Sequence, residues 1–415
     1  MRTTADPYVP AGPAATARRA GPARFRPRRL AAAIRAIDAA TPPERDRAVD
    51  GLRALAILGV VVGHFLVMAL ALGADGALRV TSPLVSLPAF APLSWVLQML
   101  GLFFLVGGYA AAKSRSRSRG YPAWVRARMR RLVRPVVAVA AALGVALPLL
   151  ALAGVPAGTL RTTAVLVVQP LWFVGIYAVI TALTPVAVAV TRRLGAWAAL
   201  PGAVVVSAVD LLRYGPWHGA MPGWLGLVNL LPGWSFAYLL GVAWAGGRIG
   251  RRGAALLTVG GIVAMLVLVR RLGYPASMVG VPGAGRTNAH PPSLLVLALA
   301  ATQCGPAILL RDRLAALLRR PALWAGVALV NLSAMTIFCW HQVALMTLSG
   351  GTLLLARHGL PGLHDVPAGL GWAAHRVAWL PAYLAVLACY VAAARRFEVS
   401  TGRTRRRGNP PAAGG

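Results

Sequence analysis

Arg53 and His64 stand eleven positions apart inside the first long apolar stretch, GLRALAILGVVVGHF. Ionisable side chains within a membrane span are costly, so they suggest function by default. At 1.5 Å per residue the two lie roughly 16 Å apart along a helix axis. That separation places the guanidinium near one membrane face and the imidazole near mid-depth. One side chain can then hold an anion at the surface while the other handles a proton inside. Plainer uses exist for both: Arg53 as a topogenic charge that pairs with Asp50 three residues earlier, and His64 as a hydrogen-bonded residue between helices.

The elements that must position this pair are membrane helices. The chain has 415 residues, 58% hydrophobic and only 13% charged, against roughly 25% charged in a soluble domain. A crossing needs roughly 20 apolar residues. Ten segments qualify, at 50–72, 84–112, 133–154, 163–190, 196–213, 223–246, 253–272, 293–311, 324–352 and 373–396. The expected fold is an all-α polytopic bundle of about ten spans. Gly107-Gly108 is read as interrupting the second span, and Pro170 and Pro185 as bracketing the fourth.

Basic residues give the orientation. Of the 43, 34 fall in the segments assigned to one side and eight in those on the other. The richer side is expected to be cytoplasmic and to hold both termini, which an even number of spans satisfies. Residues 1–44 are rich in Ala, Pro and Arg, and residues 398–415 are basic and Gly/Pro-rich. Both are expected to be disordered tails around one membrane domain at 45–397. A net charge of +33 invites a nucleic-acid reading, but the charges are spread among short loops by topology, so the expected partners are membrane lipids and not nucleic acid. Cys304, Cys339 and Cys389 are too scattered for a disulfide framework or a thiolate metal site. The remaining histidines, among them His218, His290, His358, His364 and His375, show no metal-ligand spacing, and no metal is expected.

Three further segments add to the first. GLFFLVGGYAAAKSRSRSRGYPAWVRARMRRLVRP carries a glycine pair, a basic loop and an Arg-x-x-Arg at Arg131 and Arg134; Leu171-Trp172-Phe173 and Cys339-Trp340-His341 follow in order. Together with DGLRALAIL and the Arg53–His64 spacing, these resemble the membrane-bound acyltransferase-3 family over residues 45–397. The glycine pair here lacks the serine often found in that family. The resemblance implies transfer of an acyl group from acyl-CoA to a hydroxyl, commonly of a sugar, with no bound cofactor. A glycolipid or the sugar of a secondary metabolite would serve equally as acceptor, and the cell (plasma) membrane is the expected location.

A hydroxyl is a poor nucleophile at neutral pH and needs a positioned base; an imidazole suits that role. His64 is thus the expected base or acyl carrier. Arg53, Arg131 and Arg134 are expected to meet the donor's phosphates, since guanidinium forks bind phosphate bidentately. For Arg131 and Arg134 the alternative is ordinary topogenic charge.

His341, Gln342, Trp172 and Asp210 are candidates for the acceptor side or the cavity wall. His341 is expected to share His64's depth, and Trp172 to stack on a sugar ring. Asp210 is expected either to orient a histidine or, more plainly, to pair with Arg213 three residues on. Asn288, His290, Pro291 and Pro292 are expected at the outer entrance. The competing function is a transporter or flippase for a lipid-linked or anionic substrate, with Arg53 and His64 lining its pathway. No inverted repeat supports it.

Overall fold

The structure is a computed structural model, and it describes residues 27–118, 120–216, 221–356 and 358–399. Among these, nine helices are long and apolar enough to cross a membrane, or ten if one bent pair counts as a single span. The polytopic helical bundle expected from the sequence is what the chain forms.

Helix α1 (Pro27–Ala39) precedes α2 (Arg47–Val67), which carries Arg53 and His64. The expected tail of residues 1–44 is therefore helical over 27–39, where α1 packs on α15 (Pro321–Leu332). Trp324 of α15 donates to Thr41 Oγ1 at 2.7 Å and lies under the Arg47 guanidinium at 4.8 Å, which ties this segment down. Residues 1–26 and 400–415 lie outside the described residues.

Asp46 caps α2, accepting from the Val49 amide at 3.2 Å and satisfying one of the helix's orphan donors. The helix stops at Val67, five residues short of the expected end, because Met68 turns extended and leads into a hairpin of β1 (Ala69–Leu72) and β2 (Leu78–Thr81). His64 therefore sits in the last turn of α2, not halfway along it. Residues of β2 and of the 273–292 loop line the same cavity as His64.

Helices α3 (Pro83–Ser86) and α4 (Leu93–Leu97) lead into α5 (Leu100–Ser116), then α6 (Tyr121–Leu152), α7 (Ala157–Val168), α8 (Leu171–Ala182), α9 (Thr184–Leu194), α10 (Leu200–Tyr214) and α11 (Leu230–Ala245). Gly107-Gly108 does not interrupt α5. A Cβ at Gly108 would lie 2.1 Å from the Tyr238 carbonyl oxygen, and one at Gly241 would lie 1.9 Å from that of Leu105. These glycines bring α5 and α11 into backbone contact, as small residues do between membrane helices. Pro170 and Pro185 do mark breaks, at the starts of α8 and α9.

The rest comprises α12 (Arg251–Arg271), α13 (Leu294–Leu309), α14 (Arg311–Leu317), α15, α16 (Ala334–Ala356), α17 (Leu370–Ala378) and α18 (Leu380–Val399). Helices α13 and α14 form the bent pair, at 57°. The long ninth segment divides at Ser333 into α15 and α16.

The core centres on α2, α5, α11, α13 and α16, whereas α6 runs at the periphery with Val137, Val145 and Leu149 more than half exposed. Residues 273–292 fold down onto the bundle. Trp95 donates to the Ala276 carbonyl at 2.6 Å, the Met278 amide to Ser94 Oγ at 2.9 Å, and Asn288 Nδ2 to the Pro275 and Ser277 carbonyls at 2.7 and 2.8 Å.

Candidate active site

Two cavities are lined in part by α2. The first, about 1050 Å³, opens on the basic side and is lined by Arg45, Arg47, Arg53, Lys113, Arg117, Arg128, Arg131, Arg311 and Arg319, with Tyr109 and Tyr177. Four carboxylates lie in the same wall: Glu44, Asp46, Asp50 and Asp312. Asp50 bonds Arg45 and reaches Arg53 at 3.1 Å, and Asp46 holds Arg311 at 2.8 Å. Burial alone would raise the Asp46 carboxyl, but the Arg311 and Val49 hydrogen bonds hold it below the usual range. Arg53 also donates to Asn331 Oδ1 at 3.4 Å, and Asn331 Nδ2 donates to the Asp50 carbonyl at 2.8 Å.

Among the described residues, Lys113, Arg117, Arg128, Arg131 and Arg319 make no ion pair. The vestibule is thus a concentration of positive charge only partly neutralised by the protein. Arg128 is the most enclosed of these. Its guanidinium donates to Ser114 Oγ at 2.6 Å and the Ala110 carbonyl at 3.2 Å, and lies over Trp124 at 5.0 Å. The Arg-x-x-Arg motif singles out Arg131 and Arg134 and passes over Arg128, one of several arginines crowded into the same segment. Arg131 does line the vestibule; Arg134 is exposed and does not.

The second cavity, about 460 Å³, opens towards the other side and is lined by His64, Val60, Gln98, Gln169, Trp172, Phe173, His290 and Phe338, among others. Trp172 presents its ring edge-on to His290 at 4.8 Å. Burial lowers the pKa of His290, leaving it neutral at pH 7. Between the two linings stands an aromatic septum: Phe103 of the vestibule packs at 5.2 Å on Phe173 of the smaller cavity, which packs at 5.0 Å on Phe338.

His64 and His341 come together from α2 and α16, with ring centroids 4.9 Å apart. His64 forms cavity wall; His341 is almost wholly buried behind it. Gln342 is also buried behind the wall, its Nε2 3.4 Å from Met68 Sδ and its Oε1 unpaired.

Asp210 faces neither cavity and makes no ion pair with Arg213. It accepts from Tyr274 OH at 3.0 Å, the Leu294 amide at 2.9 Å and Asn229 at 3.2 Å, so it anchors the outer loop. Arg213 instead stacks on Tyr214 at 4.8 Å. Of the outer-entrance residues, His290 reaches the cavity while Asn288 is buried as a loop staple. His364 is structural too, its Nε2 bonded to the Ser349 carbonyl at 2.8 Å. His218 lies outside the described residues. Among those described, no three His, Cys, Asp or Glu converge on a metal position.

The acyltransferase domain model of the acyltransferase-3 family matches residues 46–395, which is most of the chain. The chain belongs to the acyltransferase-3 family. No curated protein and no solved structure matches it. This membrane acyltransferase therefore carries its domain across all the candidate spans; the smaller cavity lies wholly within the matched region, and the vestibule does so apart from residues 42–45 at its rim.

Proposed function

We propose that the acyltransferase moves an acyl group from acyl-CoA to a hydroxyl of a carbohydrate or glycosylated acceptor. The vestibule receives the donor and the smaller cavity receives the acceptor. The observation that carries this reading is the placement of one helix across both compartments, with Arg53 in the vestibule wall and His64 in the wall of the other cavity. Coenzyme A bears a pyrophosphate and a ribose phosphate, which suit a vestibule whose arginines and lysine are not all paired by carboxylates. Arg53 and Arg128 are held in its wall by hydrogen bonds, and Arg131 joins them. The basic side faces the cytoplasm, where acyl-CoA is available, in a cell membrane.

In the simplest route His64 takes the acceptor's hydroxyl proton as the oxygen attacks the thioester carbonyl. The C–S bond breaks and the coenzyme A thiolate recovers the proton. Attack by His64 itself, giving an acyl-imidazole, uses the same placement in two steps. Trp172 and His290 offer an apolar face and a neutral polar edge to a sugar ring.

The test follows release of coenzyme A thiol from a panel of short acyl-CoAs by detergent-purified protein, with membrane or cell extract as acceptor source. Release by wild type and its loss in His64→Ala, at equal accumulation, is the expected result. Equal release by both proteins would remove His64 from the chemistry; release by neither would remove acyl-CoA as donor.

A further inference from the structure

We infer that His341 is a positioning residue for His64, holding its ring in the tautomer that leaves Nε2 free to act as base in the acceptor cavity. This rests on the function proposed above. The His341 Nδ1 hydrogen-bonds the Phe338 carbonyl. A carbonyl oxygen only accepts, so Nδ1 carries the hydrogen and Nε2 is left with a lone pair. That Nε2 is buried and unpaired. On the facing ring, His64 Nδ1 is also buried and makes no hydrogen bond of normal geometry; the Val60 carbonyl one turn earlier is the competing acceptor within its reach.

Two buried, unpaired nitrogens on rings 4.9 Å apart, one of them a fixed acceptor, are completed by a single bond from His64 Nδ1–H to His341 Nε2. No bond joins the two rings as they stand, so its formation requires them to turn towards each other. Buried polar groups are ordinarily satisfied, and an orphaned pair facing each other at a candidate site calls for an explanation. With Nδ1 protonated, the lone pair of His64 is on Nε2, the nitrogen left to the cavity.

The surroundings fix His341 while leaving it no other partner. Phe338 packs against its ring at 5.7 Å, and Tyr383 OH donates to its carbonyl at 3.2 Å, stacking in turn on Phe65 beside His64. No carboxylate bonds either imidazole among the described residues. In hydrolase triads a carboxylate orients the histidine and stabilises its cation. Here a second, neutral imidazole supplies the orientation. When the acceptor's proton arrives at His64 Nε2, the Nδ1 proton is shared with His341 Nε2; it returns as the thiolate takes the proton from Nε2. Every proton is accounted for, and no further reactant enters.

The experiment compares His341→Gln and His341→Leu in the thiol-release assay, with kcat and KM for acyl-CoA measured separately and thermal midpoints recorded. Glutamine can offer Oε1 near the position of Nε2; leucine offers no acceptor. His341→Leu is expected to lose on the order of 10²-fold in kcat with KM for acyl-CoA nearly unchanged, as for removal of a proton-transfer aid. His341→Gln is expected to recover most of that loss, and free imidazole to restore part of it to His341→Gly. A wild-type kcat in His341→Leu, or equal losses in the leucine and glutamine variants without imidazole rescue, would overturn the inference. Should leucine prevent accumulation, the glutamine and glycine variants decide. The proposed function survives any of these failures as long as His64→Ala abolishes release; silent wild-type protein overturns both.

Discussion

Arg376 Nε donates to the Phe65 carbonyl at 2.8 Å while its guanidinium lies 4.1 Å from the Phe65 ring, one residue beyond His64. The same side chain reaches the Met68 carbonyl at 2.7 Å and the Gly362 carbonyl at 3.0 Å, and is only 1% exposed. The last carbonyls of a helix have no partners within it, so Arg376 closes the end of α2 and ties it to the loop between α16 and α17 that holds Gly362. Replacing it with methionine leaves three carbonyls short of a donor, two of them buried, at about 1–3 kcal/mol each where water cannot reach. We expect Arg376→Met to lower the thermal midpoint in detergent by several degrees and to lower kcat, with Arg376→Lys intermediate. An unchanged midpoint would show that the cap contributes nothing.

The donor assignment separates Arg128 from Arg134. Arg128→Ala is expected to raise the KM for acyl-CoA about tenfold, or about 1.4 kcal/mol, as loss of an enclosed phosphate contact does. The exposed Arg134 should behave as a surface charge, worth less than about 1 kcal/mol on alanine substitution. Equal effects at the two positions would argue that the vestibule attracts the donor only through its net charge.

What the sequence revealed and what it hid divide on whether the relation is local. Arg53 and His64 share one helix, so their spacing sets the distance between the two chemistries, and the Asp50–Arg53 pair follows from the same period. Arg128 and Arg134 lie on one helix too, yet six residues turn the later one roughly 120° away from the earlier, a rotation that means nothing until the vestibule's direction is known. The contact between His64 and His341 crosses 277 positions and depends on the break at Ser333. Arg376 carries no signal in the sequence because its partners are backbone carbonyls, which every sequence possesses. Asp210 found Tyr274 instead of Arg213 for the same reason: a loop rich in Gly and Pro hides the fold-back that brings its tyrosine inward.

The crossing of α5 and α11 makes a sharper stability prediction. A methyl group on Gly108 or Gly241 meets backbone oxygen, which cannot rotate aside as a side chain can. Gly108→Ala and Gly241→Ala are each expected to reduce folded yield severely, measured as the monodisperse fraction after detergent extraction. Gly260→Ala on α12, where a Cβ has open space, is the control. If all three variants accumulate alike, the two helices do not touch as described.

Asp46 sets a pH dependence. Its carboxyl is pushed up by burial but held lower overall by Arg311 and the Val49 amide, so the folded state binds this proton less readily than the unfolded chain, whose ordinary value is 3.8. The stabilisation is therefore complete above that value and is lost as pH falls through the lower folded one. Thermal midpoints taken from pH 6 downward should fall more steeply for wild type than for Asp46→Asn below about pH 4. Parallel slopes would mean that Asp46 makes no net contribution to the closure of α2 against α14.

The septum of Phe103, Phe173 and Phe338 lies between the linings of the vestibule and the smaller cavity, so in the proposed reaction the thioester has to pass it to reach His64. Excluding water until the acceptor is seated protects the thioester from hydrolysis. Phe103→Leu keeps the position apolar and costs less than about 1.5 kcal/mol if the core repacks, but it removes the ring that packs at 5.2 Å on Phe173. The expected outcome is faster release of coenzyme A without acceptor and a smaller fraction of turnovers that acylate an acceptor when one is added. Both are read by comparing thiol release with acceptor labelling from a radiolabelled acyl-CoA. A variant with wild-type coupling would show that the seal against water lies elsewhere, with Phe338 on the other side of the septum the next residue to shorten.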